Sequence, residues 1–111
     1  MNLEKLAENS GLEEDEFLEL VGLFVEIGFA DLRKLQSAID EKNTEDVVKA
    51  AHSIKGAAGS LEFQEIYEVA KGIEMKARRN NLDRVGEAVR ALKENLSLTN
   101  NALETKVGIR Q

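Results

Sequence analysis

The chain of 111 residues contains no cysteine, no proline and no tryptophan, and it has a single histidine. Without cysteine there is no disulfide framework, no thiolate metal site and no thiol nucleophile. Without proline nothing forces a helix to break, so long uninterrupted helices are allowed. Long apolar runs are missing too. No stretch reaches the about 18 uninterrupted apolar residues of a membrane span, and the opening MNLEKLAENSG lacks the apolar segment of a secretory leader. A cytoplasmic protein is expected. Fifteen basic residues face twenty-one acidic ones, and the formal charge of −6 repels phosphate backbones and anionic lipid, so neither nucleic acid nor membrane is an expected partner. With 42% hydrophobic and 32% charged residues the composition is that of a folded domain, and the length suits one domain over 1–111 with one core.

What is present is helical periodicity. From Glu13 to Glu41 apolar residues recur at Phe17, Val21, Phe24, Gly28, Leu32, Leu35 and Ile39, with Leu20, Ile27 and Ala38 beside them, a stripe that predicts one long helix. The polar stretch Asp40-Glu41-Lys42-Asn43 ends it, and Asn43 or Thr44 caps the next. A third segment carries Val47, Ala51, Ile54, Ala58 and Leu61 at spacings of four and three; a fourth carries Phe63, Ile66, Ala70, Ile73 and Ala77 and stops at Asn80-Asn81. From Asp83 as N-cap, a fifth segment places Gly86 or Val85, then Val89, Leu92, Leu96 and Leu103 on one side, ending near Asn100-Asn101. Ahead of these, Leu3, Leu6 and Ala7 make a short amphipathic helix over 1–11, closed by Asn9-Ser10-Gly11. Short connections force neighbours to run antiparallel. The predicted fold is all-α: an up-down-up-down antiparallel four-helix bundle over 12–104 with a short extra N-terminal helix, and a frayed tail over 105–111.

His52 lies in the third segment. One step round the helix from the core seam, Val48, His52, Lys55, Gly56 and Gly59 share a face. Each glycine costs up to about 1 kcal/mol against alanine inside a helix, so the pair suggests that side chains there would obstruct something approaching the histidine. An exposed, neutral imidazole offers a ring-nitrogen lone pair to an electrophile such as phosphorus. Phosphoryl transfer asks for positioning and for positive charge near the equatorial oxygens, which Lys55, one turn on, is placed to supply. No second histidine and no carboxylate at ligand spacing accompanies His52, so no metal site is expected there.

The run Ala51-His52-Ser53-Ile54-Lys55-Gly56-Ala57-Ala58-Gly59-Ser60-Leu61 resembles the signature of histidine-containing phosphotransfer domains, and the likeness continues through Ala70-Lys71-Gly72-Ile73-Glu74 and Ala77-Arg78. The resemblance implies a phosphorelay intermediate. His52 would carry a phosphoryl group on its outer ring nitrogen, taken from a receiver-domain aspartate or a histidine kinase and passed to a response regulator. Lys55 would sit near that group, and Val48, Gly56 and Gly59 would lie on the docking face. The family usually has glycine right after the leucine at Leu61, whereas this chain has Glu62, which leaves open how the third helix ends.

On the fourth segment Tyr67, Lys71, Glu74 and Arg78 share a face. Glu74 is the candidate orienter of the imidazole, accepting from the inner ring nitrogen; alternatively it pairs with Arg78 at i, i+4 as a solvated bridge. No glycine-rich nucleotide loop is present, so a carrier without its own ATP site is expected, with no cofactor of its own and any Mg²⁺ held by the partner receiver domain. A monomer is expected. The competing readings are a non-catalytic helical adaptor that binds a signalling partner through the His52 face, and an excised phosphotransfer domain of a larger, chemotaxis-type kinase.

Overall fold

In the computed structural model, which describes residues 1–108, the helix ends follow from capping chemistry. The Asn2 side chain accepts from the Lys5 backbone N–H to start α1 (Leu3–Ser10), and Gly11, at φ 79°, closes it in the left-handed conformation that costs glycine nothing. Glu13 and Glu16 form a reciprocal capping box at the start of α2 (Glu14–Asp40). Asn43, rather than Thr44, caps α3 (Thr44–Ser60) by accepting from the Asp46 N–H. The remaining helices are α4 (Gln64–Arg78) and α5 (Val85–Val107), and no strand occurs among the described residues.

The four long helices form a closed ring of neighbours in which α2 packs on α3, α3 on α4, α4 on α5 and α5 back on α2, an antiparallel bundle about 42 Å long. Burying the predicted stripes drives the assembly. Phe17, Leu35, Ile54, Ile66, Ile73, Leu92 and Leu96 are fully buried, and Phe24 meets Phe63 edge to face at 5.0 Å. Gly28 lets α2 and α5 approach: a Cβ there would stand 2.9 Å from the buried Leu96 Cδ2. The short α1 lies against α2, with Leu3 and Ala7 in the core.

Several expectations need correction. Leu20 and Ile27 do not join the core; with Leu23 they form a half-exposed apolar edge of α2, because residues three, four and seven apart stack on one side of the helix and no helix among the described residues covers this side. Asp83 is not the N-cap of α5. Its N–H is taken by the Asn81 side chain and its carbonyl by Lys76 Nζ, and Arg84, at φ 62°, precedes the helix. Val85, not Gly86, is the buried residue of that first turn. The fifth helix does not end near Asn100-Asn101, and the tail from Thr105 is helical as far as Val107. Lys106 Nζ ties it to Glu4 Oε2 at 2.7 Å and Glu14 Oε2 at 3.1 Å, and Gly108 caps it. The rest of the expected tail, 109–111, lies outside the described residues.

The third helix ends at Ser60 despite the missing glycine. Glu62 adopts φ 62°, Phe63 N–H donates to the Ala58 carbonyl and Glu62 N–H to Gly59, a Schellman closure with glutamate in the left-handed position. Lys42 and Asn80 close α2 and α4 in the same way, at φ 56° and 58°.

Candidate functional site

His52 is the central residue of α3, and its side chain is 61% exposed on the outside of the bundle. Ala51 and Ile54 turn inward, which points His52 away from the core and toward the α4 side. Its Nδ1 lies 3.1 Å from Oε2 of Glu74, while Nε2 has no hydrogen-bond partner among the described residues.

Glu74 is buried at 4% exposure, yet it is the hub of the site. Lys55 Nζ forms an ion pair with Oε1 at 2.9 Å. Arg78 reaches Oε2 from the next turn of α4 through NH2 at 2.7 Å and Nε at 3.1 Å. Burial works against the charged carboxylate and is the largest single influence on it. Lys55, Arg78 and His52 together outweigh that penalty and hold Glu74 at about 2, below its ordinary 4.5. At neutral pH Glu74 is therefore an acceptor only, so the proton of a neutral imidazole belongs on Nδ1 and the lone pair on Nε2 faces solvent. The pairing with Arg78 exists, but not as the expected solvated bridge: the carboxylate is buried, and Arg78 shares its Oε2 with His52.

Lys55 stands one turn from the ring but is engaged with Glu74 rather than free. Gly56 is open: among the described residues nothing outside its own helix lies within 4 Å of where its Cβ would be. Gly59, a turn further on, backs onto Tyr67, whose Cδ1 would be 3.3 Å from an added Cβ. Val48 is half-buried one turn before His52, in a shallow groove it shares with Lys49, Ala77 and Arg78.

Two residues escaped the sequence reading. Asp31 of α2, 8% exposed, accepts from Ser53 Oγ at 2.7 Å, and Ser53 is the residue after His52. A signal for Asp31 was there: it lies three residues after Gly28 and four before Leu35, beside Leu32 of the predicted stripe, where an apolar residue is expected.

The arrangement can perform nucleophilic chemistry at one exposed ring nitrogen, with its tautomer set from behind and two cations close by. Among the described residues there is no cluster of groups suited to a metal ion and no helix long and apolar enough to cross a membrane.

Comparison with known proteins agrees with this geometry. No curated protein matches the sequence. The fold is that of histidine-containing phosphotransfer protein B from Pseudomonas aeruginosa PAO1, whose crystal structure superposes with a TM-score of 0.82 at 24% identity, covering 91% of this chain and 88% of that one. A family model described as Hpt domain matches residues 19–102, which cover most of the bundle and every site residue above. The chain therefore belongs to the Hpt domain family and serves as a histidine phosphotransfer intermediate of a phosphorelay.

Proposed function

We propose that His52 is the residue that carries the phosphoryl group, and that Nε2 is the atom that bears it. The observation that carries this reading is the pairing of an outward, unpartnered Nε2 with an Nδ1 held by a buried carboxylate. In the forward step the Nε2 lone pair attacks phosphorus, the N–P bond forms, and the P–O bond to the donor aspartate breaks with its electron pair leaving on the carboxylate. The ring gains positive charge as the bond forms, and Glu74 faces that charge through the Nδ1 proton. In the return step an aspartate oxygen of the receiving domain attacks phosphorus and the N–P electron pair goes back to Nε2. Lys55 and Arg78 balance Glu74 while the site is empty, and Lys55, one turn from the ring, is the cation placed to swing onto the phosphoryl oxygens.

Family membership supplies the partner classes, response regulators and kinases. The docking face we propose runs from His52 over Gly56 and along the exposed edge of α2. Asp31 is tied to Ser53, and Ile27, Leu23 and Leu20 follow at successive turns back along α2, which runs antiparallel to α3, so they flank Gly56 and the end of that helix. A receiver domain would cover this apolar edge on docking. The chain would act as a cytoplasmic, monomeric carrier without an ATP site or cofactor of its own, with Mg²⁺ supplied by the receiver. Incubation with a phosphorylated receiver domain tests the reading: acid-labile, alkali-stable label is expected on the wild type and none on His52→Gln. Label persisting on that variant would refute the assignment, and stable binding of the receiver without any label would favour the adaptor reading.

A further inference from the structure

Asp31 and Glu74 are the only charged side chains buried among the described residues, and they hold adjacent residues of one helix from opposite sides. Glu74 on α4 takes His52; Asp31 on α2 takes Ser53. Lys55 and Arg78 offset the burial of Glu74, whereas Asp31 is in no ion pair among the described residues and is met by a neutral hydroxyl alone, so its place beside the site calls for a reason other than stability.

The packing of α3 suggests that reason. Three of its five buried residues are alanines, Ala50, Ala51 and Ala58, beside Val47 and Ile54. Small side chains interlock weakly, so packing alone resists rolling of this helix about its axis less than it would for a leucine-rich one. A roll of about 10° moves a side-chain tip at the helix surface by about 1 Å. Misplacement on that scale is enough to slow an in-line reaction severely. A tie on each side resists the roll in both directions. Ser60 and Thr99 donate to the carbonyl four residues back, whereas Ser53, in the middle of α3, donates across the interface to Asp31, as Thr44 at the start of the helix does to Asn80.

We propose that Asp31 is a positioning residue for phosphotransfer, acting through Ser53 Oγ to fix the roll of α3 against the opposing hold of Glu74 on His52. This rests on the assignment of the phosphoryl group to His52. Asp31 touches neither the imidazole nor the phosphoryl donor; its effect passes through Ser53.

The test uses the full chain, with single-turnover transfer from a saturating phosphorylated receiver, thermal unfolding, and ¹⁵N spectra of the His52 ring. Asp31→Leu is expected to melt no lower than wild type and yet to transfer about tenfold more slowly. Ser53→Ala is expected to show the same slowing, with a shifted Nδ1–H signal, whereas Ser53→Thr keeps the hydroxyl, the signal and the rate. A purely structural role for Asp31 predicts that rate follows stability, so a stable but slow Asp31→Leu separates the two. Should Asp31→Leu fail to fold, Ser53→Ala decides alone. Wild-type transfer rates in folded Asp31→Leu or Ser53→Ala would overturn the inference while leaving His52 in place; a wild type that takes no label at His52 would overturn both.

Discussion

The Tyr67 ring lies 3.3 Å from the point where a Cβ on Gly59 would stand, whereas the same construction at Gly56, one turn nearer His52, meets nothing. Two glycines on one face of α3 thus answer to different constraints, one to packing against α4 and the other to whatever approaches from outside.

Gly56→Ala is accordingly expected to stabilise the free protein by about 0.5–1 kcal/mol, since the helix gains an alanine and nothing is displaced. The same methyl stands in the path of a docking receiver, so transfer should slow. Gly28→Ala should do the opposite, costing about 1–3 kcal/mol through overpacking against the buried Leu96, with docking unaffected. Urea unfolding beside single-turnover transfer checks both.

Glu74 gives a dependence on pH. Its folded value, about 2, lies below the ordinary 4.5, so its stabilising contribution is present in full above about pH 4.5 and is lost as pH falls through 2. Glu74→Gln should lose on the order of 1–3 kcal/mol at pH 7, where His52, Lys55 and Arg78 no longer face a carboxylate. The gap to wild type should close toward pH 2. Denaturant unfolding at pH 7, 4 and 2 measures it. Glu74→Ala should also slow transfer by about 10–100-fold, as expected for loss of the group that orients an imidazole.

The apolar edge of α2 predicts a defect in docking alone. Leu23 is 52% exposed and Ile27 46%, so Leu23→Asp and Ile27→Asp change the edge of the bundle and not its core, and should cost no more than about 1 kcal/mol of stability. Receiver affinity, measured by titration calorimetry, should fall about tenfold for either variant, with transfer at saturating receiver unchanged.

Glu62 and Lys42 close their helices in a conformation that costs a non-glycine residue about 1–2 kcal/mol. Part of that is regained by the unfolded chain when glycine is introduced, so Glu62→Gly and Lys42→Gly should each stabilise by about 0.5–1 kcal/mol. Both lie outside the site, and transfer should be unchanged.

These residues also show why some features were legible in the sequence and others were not. The centre of the core stripe of each long helix follows from apolar spacing, because burial rewards the same period that the helix imposes. Helix ends were harder: Lys42 and Glu62 sit where glycine normally announces a Schellman closure, and the Asn100-Asn101 pair, a turn signal by composition, is overridden by the anchoring of Lys106 on Glu4 and Glu14. His52, Lys55 and Gly56 stood out because the single histidine lies beside helix-weakening glycines in a recognisable run. That His52 and Arg78 share one oxygen of Glu74 depends on how α4 packs against α3, which spacing along the chain does not encode. Leu20 and Ile27 looked like core because a spacing rule does not distinguish the edge of a stripe from its centre, and Asp31 was passed over because its neighbours in the stripe are apolar.

The atom of His52 that receives phosphorus is the point most open to direct measurement. Phosphorus–nitrogen couplings in the ¹⁵N-histidine-labelled, phosphorylated protein should place the phosphoryl group on Nε2, with the Nδ1 proton still hydrogen-bonded to Glu74. Phosphorus on Nδ1, or on any residue other than His52, would contradict it.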